Sequence, residues 1–103
     1  MDRLVKMANV DPRHSGLSKR LFFSWGQYSG VKLPLGPRFK IEISPSQLVS
    51  VNLDNPRCPR GLSAMAWHQI SGFVSRNRSA IIAFWEGKLT DPEFHAALKP
   101  VRL

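Results

Sequence analysis

The side chains best suited to proton transfer, metal ligation or nucleophilic attack in this chain are His14, His68, His95 and Cys58. Imidazole titrates near neutrality and ligates metals, and a thiolate attacks electrophiles. The spacing supports neither chemistry strongly. His68 falls beside a run of apolar residues and His95 follows Phe94, positions where an imidazole is as readily structural or solvated as catalytic. Cys58 lies among Arg57, Pro59 and Arg60, where cations favour the thiolate, yet no His–Asp pair can be assigned to it. There is no glycine-rich phosphate loop, no paired glycosidase-like carboxylates and no zinc-ligand spacing. The residues therefore assign no catalytic group, no metal and no cofactor. A small metal-independent ribonuclease, using one histidine beside clustered arginines, stays open as an alternative.

Charge carries more. Fifteen Lys and Arg against seven Asp and Glu give a net charge of +8, which attracts polyanions. Between Asp11 and Glu42 no carboxylate interrupts Arg13, Lys19, Arg20, Lys32, Arg38 and Lys40, and aromatic rings are interleaved with them: Phe22, Phe23, Trp25, Tyr28 and Phe39. Cations neutralise phosphates and exposed rings stack on bases. The same pattern also fits rings turned inward as core with the cations solvated outside. Arg20, Lys32, Arg38 and Lys40, with Arg57 and Arg60 in a later loop, are the candidate anion-binding residues. The expected partner is nucleic acid or an acidic protein. No helix-turn-helix, zinc-finger or RNA-binding-domain signature specifies a mode.

These residues need elements to hold them. Phe39, Ile41 and Ile43 alternate with Arg38, Lys40 and Glu42, and Val49, Val51 and Leu53 alternate with Ser50, Asn52 and Asp54, which predicts two one-sided strands. Ser44-Pro45-Ser46-Gln47 supplies the turn of an antiparallel hairpin. The aromatic run Leu21–Trp25, closed by Gly26, and the short Val31–Leu33 are further strand candidates. Ser63 is a helix N-cap, and Trp67, Ile70, Phe73, Val74, Ile81, Phe84 and Trp85 share a stripe at helical period, predicting one long helix over 64–86 against the hairpin. Asn77 lies on that stripe and must have its amide satisfied there. Thr90-Asp91-Pro92-Glu93 is a capping box opening a short helix to residue 98. The expected fold is α+β: a small antiparallel sheet of two to four strands, covered by one long C-terminal helix plus a short terminal helix. Residues 1–19 are expected to be an irregular or flexible arm and residues 20–103 a single domain.

At 103 residues the chain has room for one hydrophobic core. A lone cysteine excludes an intrachain disulfide, no apolar run is long enough for a membrane span, and no signal peptide opens the chain, so a cytoplasmic protein with no membrane partner is expected. Nothing in the pattern sets an oligomeric state.

From about residue 49 onward the chain resembles a family of small bacterial proteins of unknown function. Their C-terminal signature is matched by Val74, Asn77-Arg78, Ile81, Phe84-Trp85, Gly87, Glu93-Phe94 and Leu98-Lys99. The resemblance covers about half the chain. It implies an accessory role, such as the protein–protein interaction module of a toxin–antitoxin-like pair, without an enzymatic activity. Some similar proteins carry a Pro-Pro-His-x-His stretch in the strand region, where this chain has no histidine between His14 and His68, so a role tied to that stretch is not implied. The residues and the resemblance together favour a non-enzymatic binding protein, with the interaction module and the ribonuclease as alternatives.

Overall fold

A computed structural model describes residues 7–28, 31–32 and 36–101, with only the backbone described for 27, 28, 31 and 32. Its elements, in chain order, are β1 (Met7–Val10), α1 (Pro12–Ser15), β2 (Leu21–Ser24), β3 (Gln27–Tyr28), β4 (Val31–Lys32), β5 (Arg38–Ser44), β6 (Gln47–Asn52), α2 (Ala64–Arg76), α3 (Arg78–Trp85) and α4 (Asp91–Ala97). The strands form a four-stranded antiparallel sheet in the order β1-β2-β5-β6, and β3 and β4 pair separately.

Alternation decides which face of the sheet is covered. Ala8, Val10, Leu21, Phe23, Phe39, Ile41 and Val51 point to one face and are all buried. Onto that face pack Ile70, Phe73 and Val74 of α2, Ile81 and Phe84 of α3 and Phe94 of α4. Phe94 stacks on Phe84 at a ring-centroid distance of 4.5 Å and meets the edge of Phe23 at 5.4 Å, so one ring ties α4 to both α3 and the sheet. The β5–β6 turn is Pro45-Ser46, and a bulge between Glu42 and Ser44 lets Ser44 pair with Gln47.

The expectation of one long helix over 64–86 is corrected. The longest helix has 13 residues, because the segment divides at Asn77, whose backbone leaves helical geometry at φ −106° and ψ 17°. The break coincides with the engagement of the side-chain amide by the C-terminal segment. Nδ2 donates to Phe73 O at 2.9 Å and to Lys99 O at 2.9 Å, and Oδ1 accepts from Lys99 N at 2.7 Å. Phe73 O also accepts from Asn77 N at 3.0 Å, and Ile81 N donates to Asn77 O at 3.0 Å, so backbone bonds run through the break. A stripe of apolar residues cannot register that break, since both helices keep the same face inward.

Residues 7–15, within the segment expected to be an irregular arm, form β1 and α1. β1 escapes a hydrophobic-period reading because it is four residues long and its inward pair is Ala8 and Val10, set by Phe23 and Leu21 opposite. The helix α1 ends at Gly16, whose φ of 80° lies in the left-handed region and whose missing side chain makes room for the Val101 carbonyl. Val101 N in turn donates to Ser15 O at 2.7 Å, so the C-terminal segment straps α1 to the α2–α3 junction.

Candidate nucleic-acid interface

The face of the sheet opposite the helices is built by the even-numbered residues of β2, β5 and β6 and the odd-numbered residues of β1. Across it runs one row, Asn9 beside Phe22, Phe22 beside Lys40 and Lys40 beside Ser50. The next row contains Met7 beside Ser24 and Arg38 beside Asn52. Lys40, Asn9, Ser50 and Asn52 are exposed, while Phe22, Ser24 and Arg38 are half-buried. Among the described residues no helix packs on this face.

The candidate cations do not all converge. Lys40 and Arg38 stand two residues apart on β5 and share the open face, with no ion pair formed among the described residues. Arg20 sits one row further on but is engaged: its Nε is 2.9 Å from Asp11 Oδ1, and Nη1 is 3.7 Å from Glu42 Oε1. Beside it, Lys19 Nζ donates to Ile43 O at 3.1 Å, and Lys19, Arg20 and Glu42 line a cleft of about 190 Å³. Arg57 and Arg60 are exposed on the connection between β6 and α2. Lys32 belongs to β4, and its side chain lies outside the described residues.

Phe22 resolves one ambiguity of the aromatic run. Phe23 and Phe39 are core and stacked on each other at 5.6 Å, and Trp25 packs against that core, whereas Phe22 takes the other face. Strict alternation along β2 carries that signal once the hydrogen-bonded neighbours are known, but a run as apolar as Leu-Phe-Phe-Ser-Trp conceals its phase.

His14 and His95, far apart in sequence, meet edge-to-face at 5.6 Å. His95 Nδ1 lies 2.9 Å from Asp91 Oδ1 and 3.0 Å from Asp91 O, and Nε2 lies 3.1 Å from Asn9 O. Burial favours the neutral ring, but acceptors at both nitrogens outweigh it and raise the pKa above the usual histidine value. With both nitrogens engaged, the imidazole tethers α4 to β1 and presents no free lone pair to a substrate. His68 is exposed on α2, and Cys58 is exposed with its thiol near the carbonyls of Pro59 and Leu62. No group of three or more His, Cys, Asp or Glu among the described residues is arranged to hold a metal ion.

A second depression, of 320 Å³, opens between α2 and the start of the connection, lined by Phe39, Leu53, Pro56, Trp67 and Val74 with Arg78 at its rim. Arg78 is bound there to Asp54 Oδ1 at 2.8 Å and to Leu53 O at 3.3 Å. Among the described residues, no helix is long and apolar enough to cross a membrane. Comparison with protein-family models, curated proteins and solved structures gives no match, so the reading of the site rests on its geometry.

Proposed function

We propose that this chain is a non-enzymatic nucleic-acid-binding domain that lays a single strand of RNA or DNA across the open face of its sheet. The observation that carries the reading is the row Phe22–Lys40–Ser50, with Arg38 and Asn52 alongside: a half-exposed ring next to unpaired cations, bordered by amides and hydroxyls. Lys40 and Arg38 neutralise phosphates, Phe22 offers a π-face to one base, and Asn9, Ser50 and Asn52 donate and accept at base edges or sugar hydroxyls. A flat face with a single ring suits unstacked bases rather than duplex, whose bases are hidden from a stacking side chain.

The test is fluorescence anisotropy with labelled single-stranded and duplex oligonucleotides of the same sequence. The single strand is expected to bind more tightly, and Phe22→Leu to weaken it by about 1 kcal/mol or more through lost stacking. An acidic protein partner would use the same cations but not the ring. Equal binding by the Phe22→Leu chain would therefore favour that partner and count against the single-strand reading.

A further inference from the structure

The two edges of the sheet are built differently. Leu53 N donates to Pro37 O at 2.9 Å, which fixes the phase of the β5–β6 ladder: odd-numbered residues of β6 direct their N–H and C=O toward β5. The backbone groups of Leu48, Ser50 and Asn52 therefore point away from the sheet. At the other side, the bond from Glu42 N to Arg20 O sets the even residues of β2 toward β5, so the outward groups of β1 are those of Met7 and Asn9. That edge is engaged, because His95 Nε2 of α4 sits 3.1 Å from Asn9 O.

The β6 edge differs. Among the described residues no backbone hydrogen bond outside the β5 ladder reaches residues 47–52. Nor does the strand carry a guard: Gln47-Leu48-Val49-Ser50-Val51-Asn52 has no charge and no proline, the usual devices that keep an edge from pairing. Leu48 is 49% exposed on it.

We propose that β6 is a dimerisation strand, pairing antiparallel with β6 of a second copy about a two-fold axis at Ser50. The outward phase allows only even residues to exchange hydrogen bonds. Centring on Ser50 engages all three, with Leu48 of one copy opposite Asn52 of the other, in about six backbone bonds. It also sets Val49 of one copy beside Val51 of the other, twice, on the helix-covered side. A neutral strand meets itself without the like-charge contact that most of a chain of net charge +8 would impose. Because His95 occupies the β1 edge, head-to-tail growth through β1 is blocked and the pairing closes at two copies. The two open faces would then be continuous, but the dimer does not depend on what that face binds.

Sedimentation equilibrium of the purified full chain over a dilution series tests this. The mass is expected to reach twice the 11.6 kDa chain at the concentrated end and to fall toward the monomer on dilution. Ser50→Pro removes an outward N–H at the axis, and proline is tolerated where an edge strand's N–H faces solvent, so this variant should stay monomeric at every concentration. Ser50→Lys, at an exposed site, places two ammonium groups together on the axis and should also be monomeric, with an unchanged far-ultraviolet circular dichroism spectrum. A wild-type mass of 11.6 kDa throughout overturns the proposal, leaving the edge to a strand of another protein. A folded Ser50→Lys chain that dimerises as the wild type does also overturns it, as does a mass growing beyond two copies.

Discussion

Asn77 and His95 each tie a helix to a segment far away in the sequence, Asn77 to Lys99 and His95 to Asn9. The Asn77 amide makes three hydrogen bonds at 3% exposure and joins the α2–α3 junction to Lys99. Asn77→Ala removes all three bonds and leaves the part-buried backbone groups of Lys99 without that partner, and should cost about 1–3 kcal/mol by urea unfolding. His95 acts through its charge. Its pKa is raised in the folded state, so the stabilisation it gives is complete below the unfolded value of about 6.5 and is lost as pH rises through the folded one. Asp91 and the adjacent His14 are the titratable groups facing it. His95→Gln should therefore lower the melting temperature more at pH 5.5 than at pH 8, values on either side of about 6.5, and an equal loss at both would show that the ring's charge is not used. The sequence shows that Asn77 needs a partner, because an amide on an apolar stripe has no other way to be inside; it does not show that the helix divides there.

At the scale of elements, the contacts that fix positions are few and specific. Gly26 lies against the Trp85 indole, and its N–H donates to Trp85 O at 2.6 Å, so a methyl group at 26 would overlap the ring and push α3 from the sheet. Gly26→Ala should destabilise by about 1–3 kcal/mol, the usual cost of overpacking, read as a lowered midpoint in urea. Phe94→Ala should cost more, about 3–5 kcal/mol, since it removes the ring shared by α3, α4 and β2. The β5–β6 hairpin and the Thr90–Glu93 capping box are legible in the sequence because each is local: alternation with a turn in the first, a side chain and an amide three residues away in the second. β1 and the strap at Val101 are not legible, since their partners lie at a distance along the chain and their own residues carry no period.

Taken whole, the molecule is an α+β sheet with α2, α3 and α4 packed on one face, and Lys40 and Arg38 stand on the opposite face. Of the cations picked out by charge alone, the structure separates those two, on the face of β5, from Arg20, which is already paired, and from Arg57 and Arg60, on the connection between β6 and α2. Sequence gave no means to make that division, because pairing with Asp11 and Glu42 depends on strands meeting in space. The most direct test is the salt dependence of single-strand binding by the wild type, Lys40→Ala and Arg38→Ala. The account predicts binding that weakens steeply as salt rises, with each substitution weakening it further and reducing the logarithmic slope by about 0.7. No binding at low salt, or slopes unchanged by both substitutions, would contradict it.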